Sequence, residues 1–238
     1  IKLCLEEDIE TTEVAVVTNT NKMRMYYNDE LVCQLDRDFL DASGVDRYQD
    51  VVVGTDAETN YFAHKGNEIE DIYTKLDDLN YVSKKNLYSK FDFTIGRSTV
   101  LAPLGGENLL TPVQSMVGII PTLSGNSKTA SIMSYGYDPF LSEENQFLGG
   151  YYAVIESLVK LGAVGGNPFK ARLSFQEFFE SLGDDESKWA KPLKSLLGAF
   201  YACRELKVAP IGGKDSMSGT FKDINVPPTL ISFGVTYE

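Results

Sequence analysis

The stretch Gly149-Gly-Tyr-Tyr-Ala-Val-Ile-Glu-Ser-Leu-Val-Lys-Leu-Gly-Ala-Val-Gly-Gly-Asn-Pro168-Phe-Lys-Ala-Arg-Leu-Ser-Phe175 changes its apolar period partway along. Tyr151, Ile155, Leu158 and Gly162 recur at helical spacing, with Tyr152 and Val159 beside them. The paired glycines Gly149 and Gly150 are expected to open that helix. Residues 162–168 stop it, and 171–175 read as a short strand. Downstream, Leu193, Leu196, Leu197, Phe200 and Tyr201 fall on one side of a second helix, with Pro192 suited to its first turn. Residues 208–211 and 229–235 read as strands, as do 116–120 and 130–135 upstream. Strands interleaved with two helices read as an α/β or α+β layer, with helices packed against a mostly antiparallel or mixed sheet.

Working outward to the N-terminus, residues 13–40 read as β structure. Glu13-Val-Ala-Val-Val-Thr18 is an apolar run, and 23–27 and 30–35 flank the turn signal Asn28-Asp29. Two antiparallel strands follow from that arrangement. Phe39 and Leu40 lead into Ala42-Ser43-Gly44, which ends the unit. Residues 54–90 are polar; Ile69, Ile72, Leu76 and Leu79 mark either a short helix or a plain surface excursion. A break between two structural units is expected within 50–90. From Phe91 the chain alternates to Ile95, and Gly96, Pro103, Gly105 and Gly106 then punctuate it.

The 238 residues carry 22 Lys plus Arg against 34 Asp plus Glu, a net charge of −12 that disfavours a nucleic-acid partner. The charge is uneven: residues 1–90 hold net −9 and 91–238 net −3, so the second part is the better host for an anion. No apolar run approaches the ~20 residues of a membrane span, and no signal peptide opens the chain. The first residue is Ile1 rather than Met, which points to a cut or processed boundary. Cys4, Cys33 and Cys203 form no CxxC pair and read as reduced thiols of a cytoplasmic protein. His64 is the one histidine, which argues against a zinc site or a histidine-dependent catalytic set.

The segment Gly212-Gly-Lys-Asp-Ser-Met-Ser-Gly219 lies between two apolar runs. Gly212 and Gly213 let backbone N–H groups approach an anion, and Lys214 supplies a point charge to a phosphate. Asp215 suits a divalent cation, and Ser216 and Ser218 add hydroxyls. The spacing is not that of a Walker A loop, and a Gly-rich hairpin with a charged tip fits the residue types equally well. Glu156 and Lys160, four apart, form either a solvated ion pair or a metal-facing carboxylate beside a lysine. Arg97 is a candidate phosphate donor. Tyr135 and Tyr137 either stack on a base or cover the core, while Lys188, Trp189 and Lys191 read as a surface turn.

Several separated segments resemble, in one collinear order, the large glutamine-dependent phosphoribosylformylglycinamidine synthases of purine synthesis. They are Val17-Thr-Asn-Thr-Asn21, Phe39-Leu-Asp41, Thr129-Ala-Ser-Ile-Met-Ser-Tyr-Gly136, Leu173-Ser-Phe-Gln-Glu177, Pro210-Ile-Gly-Gly-Lys-Asp-Ser-Met-Ser-Gly-Thr-Phe221 and Val226-Pro-Pro-Thr-Leu-Ile-Ser-Phe233. The resemblance implies an internal slice of such an enzyme. Residues 1–54 would end one synthetase lobe, 55–90 would connect, and 91–238 would form the ATP-binding-type lobe of the second half. By the same resemblance that lobe would be α+β, a mixed or antiparallel sheet with helices on one face, similar to the ATP-binding-type lobe of the aminoimidazole ribonucleotide synthetase-like superfamily.

The resemblance further implies ATP or ADP and Mg²⁺ as cofactors, formylglycinamide ribonucleotide as substrate, and the remaining synthetase and glutaminase domains as partners. Gly212, Gly213, Lys214, Asp215 and Ser216 match the family's nucleotide, metal and substrate segment. Lys214, Asp215 and Ser216 are the implied catalytic set, and Asp215 and Glu156 the implied metal ligands. Lys128 and Lys160 stand where an Asp and an Asn are expected around an auxiliary nucleotide, and two lysines cannot ligate magnesium. The slice alone is expected to be inactive and to pair with a second copy through its sheet. The alternative is an inert lobe that only pairs with its companion half.

Overall fold

The computed structural model describes residues 1–41, 48–55, 61–63, 72–79, 81–90 and 98–238. The expectations for Ala42-Ser43-Gly44, His64, Ile69, 91–95 and Arg97 lie outside the described residues. The chain divides into two compact units, Ile1–Gln49 and Asp50–Glu238.

The first unit is built on the hairpin β1 (Lys22–Tyr27) and β2 (Glu30–Asp36). Asn28 and Asp29 both adopt positive φ, 47° and 65°, the primed turn whose twist matches paired strands. Lys22 pairs with Asp36 at 3.0 Å across the ladder, and Arg24 Nε donates to Gln34 Oε1 at 2.8 Å. The run 13–18 is a correction: it joins no strand, and Val17 is 99% exposed. Its β-branched residues favour extension, but β1 and β2 pair only with each other and offer it no ladder. Among the described residues of this unit none is buried.

The second unit carries a six-stranded sheet of β3 (Thr99–Leu101), β4 (Ser115–Ile119), β5 (Ala130–Gly136), β6 (Arg172–Phe178), β7 (Ala209–Lys214) and β8 (Thr229–Tyr237). Their order is β3-β4-β5-β8-β6-β7, antiparallel throughout except for the parallel β6–β7 pair at the edge. The expected α+β class with a mixed sheet is what the chain adopts. Helices α2 (Gln146–Ala163) and α3 (Ala190–Leu206) pack with one sheet face into a core of Ile132, Val154, Leu161, Leu173 and Leu230, among others.

Helix α3 presents a different face from the expected one, whereas α2 does so only in part: Leu158 is buried and Tyr151 packs on the core as expected. After the short α1 (Pro139–Glu144), Asn145 caps α2 by accepting from Leu148 N at 2.9 Å, so α2 begins before the glycines. Gly149 and Gly150 lie inside its first turns and are buried. A Cβ on Gly150 would sit 2.0 Å from Ser195 O, and one on Gly198 would sit 1.9 Å from Phe147 O. Close approach of α2 and α3 therefore selects small residues at their contact: Gly150, Ser195, Gly198, Ala199 and Ala202. The large stripe Leu196, Leu197, Phe200 and Tyr201 points away from the core instead, as do Tyr152 and Val159. Small residues also bring α2 down on the sheet, where Ser134 Oγ donates to Ser157 O at 2.6 Å.

The turn before α3 is more than a surface turn. Glu180 is only 4% exposed and takes ion pairs from Lys188, at 3.2 Å, and from Lys191. Burial pushes its carboxyl up, yet the two ammonium groups override that and hold it below the ordinary carboxylate value. Trp189 Nε1 donates to Gly183 O at 2.9 Å.

Candidate functional site

Strand register brings the matched segments together. Gly136 of β5 is opposite Ser232 of β8, Ser232 is opposite Phe175 of β6, and Phe175 is opposite Gly213 of β7. Three strand spacings span about 14 Å along that row. Just beyond it lie Tyr137, Glu177, Lys214, Asp215 and the start of β8. One end of the sheet thus collects residues scattered over a hundred positions.

Gly212, Gly213 and Lys214 belong to the parallel edge strand, not to a hairpin tip. A Cβ on Gly213 would meet Phe175 O at 2.6 Å, so glycine there serves strand approach. Gly212 has open space around its missing Cβ. Past the strand, Ser216 N donates to Glu177 O (3.1 Å), Phe179 N to Ser216 O (2.9 Å) and Gly219 N to Phe179 O (2.8 Å). These bonds fix the segment, and they already use the Ser216 and Gly219 N–H groups. Lys214 and Asp215 are exposed, and the hydroxyls of Ser216 and Ser218 lie 2.9 Å apart.

Glu177 was not among the residues singled out, although the phase Leu173, Phe175, Glu177 places a carboxyl on the core-facing side of β6. Burial raises its pKa, and the charge of Asp215 raises it further. Glu177 and Asp215 therefore feel one another's field. One or two carboxylates plus ligand phosphates are a common donor set for Mg²⁺, and Asp215 and Glu177 are residues of that chemical type. Among the described residues no three His, Cys, Asp or Glu side chains gather around a common point.

At the other side of the row, Glu156 Oε1 lies 2.6 Å from Lys160 Nζ, and its Oε2 accepts from Tyr137 N at 2.8 Å. The Lys160 side chain is 16% exposed and its ammonium stands 4.5 Å from the Tyr135 ring centroid. The pair is partly covered, Lys160 more than Glu156, whose side chain is 38% exposed, and both carboxylate oxygens are engaged. Lys128 belongs elsewhere: it precedes β5, whereas Glu156 bonds just past the end of that strand. Seven strand residues separate the two by about 20 Å. The structure thus gathers Glu156 and Lys160 but not Lys128.

Tyr137 and Tyr61 add hydroxyls at this end. Tyr137 shares a 2.9 Å hydrogen bond with Thr229, and burial raises its pKa. Tyr61 donates to Asp138, and that bond pushes its pKa up to about 12. The broad groove between α3 and β7, about 930 Å³, is lined by Leu196, Leu197, Phe200 and both glycines of β7. It is apolar, and distinct in character from the polar strip.

No family model matches the chain. Curated relatives do: the phosphoribosylformylglycinamidine synthase subunit PurL of Alkaliphilus metalliredigens is 28% identical over 222 residues, covering 90% of this chain and 28% of that protein. The PurL of Staphylococcus aureus strain bovine RF122 / ET3-1 is 23% identical over 233 residues, covering 95% of this chain and 29% of that protein. Among solved structures, Thermotoga maritima PurL complexed with ATP shares the fold at TM-score 0.61 and 18% identity, over 91% of this chain and 31% of that one. The same protein complexed with ADP gives a TM-score of 0.64 at 16% identity, over 91% of this chain and 32% of that one. The chain is similar to one continuous PurL segment and spans less than a third of the relatives it matches.

Proposed function

We propose that the chain is a segment of a phosphoribosylformylglycinamidine synthase, an ATP-dependent C–N ligase, and contributes one side of a composite site. The observation that carries this is the Gly136–Ser232–Phe175–Gly213 row, which brings four of the collinear PurL-like segments to one sheet end. Residues 1–54 would close a preceding lobe, 55–90 connect, and 91–238 form the nucleotide-type lobe. In such an enzyme ATP with Mg²⁺ supplies the phosphoryl group that activates the amide oxygen of formylglycinamide ribonucleotide. Ammonia from a glutaminase domain elsewhere then displaces that oxygen as phosphate and leaves the amidine.

In this reading each residue of the strip has a task. The exposed Lys214 ammonium draws the phosphates. Asp215 and Glu177 would hold Mg²⁺, which would supply charge neutralisation for those phosphates. Ser216, fixed through its backbone to β6, donates its hydroxyl to substrate. The helix-free sheet face would pack on a companion lobe, or on a second copy when that lobe is missing. A cytoplasmic setting belongs to the same proposal; among the described residues no helix is long and apolar enough to cross a membrane.

Calorimetric titration with Mg-ADP tests the site. Asp215→Ala should weaken binding at least about tenfold, as loss of a contact worth more than ~1.4 kcal/mol requires. Equal affinity in the two proteins would remove Asp215 from the nucleotide site and overturn the assignment.

A further inference from the structure

Glu156 is the carboxylate that the family resemblance marks for a metal, and its surroundings do not fit one. Oε1 is held at 2.6 Å by Lys160, and Oε2 by the backbone N–H of Tyr137 at 2.8 Å. We infer that the Lys160 ammonium is the resident cation of this end of the sheet, and that Glu156 binds no divalent metal. A metal ion on Oε1 would have to displace Lys160 or stand against a like charge at contact distance, where repulsion in a half-buried setting is severe. The ammonium has little reason to leave. Its side chain is 84% covered, and the face of Tyr135 at 4.5 Å adds a second attraction.

Glu156 has a different task. Through the Tyr137 N–H it fixes the turn leaving β5, one residue before Asp138 caps α1 by accepting from Phe140 N and Leu141 N. Lys160 is thus a positioning residue acting through Glu156. In the proposed function the metal is left to Asp215 and Glu177. This inference rests on side-chain geometry and stands whether or not the chain serves a ligase.

Mn²⁺ binding, read by the loss of its free electron paramagnetic resonance signal, tests the inference on the whole 238-residue chain. The unmodified chain and Glu156→Gln should take up Mn²⁺ with midpoints within about twofold of each other. Lys160→Asn, which replaces the ammonium by a neutral oxygen donor, should bind at least about tenfold more tightly than Lys160→Asn/Glu156→Gln. Tighter uptake by the unmodified chain than by Glu156→Gln, again by about tenfold, would overturn the inference. So would a folded Lys160→Asn variant that gains no Glu156-dependent site. Should Lys160→Asn fail to fold, the first comparison decides alone.

Discussion

Glu177 shows what a single carboxyl does when strand alternation puts it on the covered side. Its pKa is raised by burial first and by Asp215 second, so the folded chain holds this proton to higher pH than the unfolded chain does. Stability contributed by the protonated form is therefore full below the unfolded carboxylate value of ~4.3 and declines as pH rises through the folded value. Glu177→Gln should remove that decline. Urea unfolding midpoints of the two proteins should agree near pH 4 and diverge above it, with the variant more stable at neutral pH; a constant gap across pH would contradict the assignment. At this scale the sequence was partly legible. Lys214, Asp215 and Ser216 declare themselves by residue type. Gly213 does not, because its reason is the Phe175 carbonyl on a neighbouring strand. Nor does the distance of Lys128 from Glu156, which is set by the length of β5.

Elements were legible where the pattern needs only one segment. The turn at Asn28-Asp29, five of the six strands of the main sheet and the existence of both long helices follow from period and punctuation, whereas β3 carries no such signal and β7 runs on through both glycines to Lys214. The face of α3 does not follow from them. Leu196, Leu197, Phe200 and Tyr201 make the more apolar stripe of α3, yet the core takes Ser195, Gly198, Ala199 and Ala202. Which stripe is buried depends on how closely a second helix approaches, and that information lies in Gly150 of α2 as much as in α3. Two glycine substitutions separate the effects. Gly198→Ala gains helix propensity but drives a Cβ into Phe147 O, so it should destabilise by about 1–3 kcal/mol. Gly162→Ala in α2 meets nothing within 4 Å and should stabilise by about 0.5–1 kcal/mol. Thermal unfolding of the two variants against the parent reads both signs; a shift in the same direction for both would show that packing at the helix contact is not the deciding term.

At the scale of the molecule the unsolved surface is the sheet face away from α2 and α3. Met116 is opposite Met133, Met133 opposite Val235, and Tyr135 opposite Phe233, so these side chains share that face. Met116, Met133, Tyr135 and Phe233 are each 42–44% exposed, although strand alternation would bury them against any second layer. An α+β sheet with one apolar face open is half of a sandwich. In the longer relatives other polypeptide is at hand to cover such a face; in this chain alone, a second copy is the partner of matching chemistry. Light scattering should then give twice the 26.4 kDa chain mass, since a self-complementary patch of about 800 Å² per copy suffices for a stable pair. Met133→Glu sits at the centre of the patch, points its charge away from the helix-covered core, and should return the mass to that of one chain. A single-chain mass for the unmodified protein at micromolar concentration would rule out self-pairing through this face. A double mass that Met133→Glu leaves intact would place the interface elsewhere, with the apolar groove beside α3 the next surface to test.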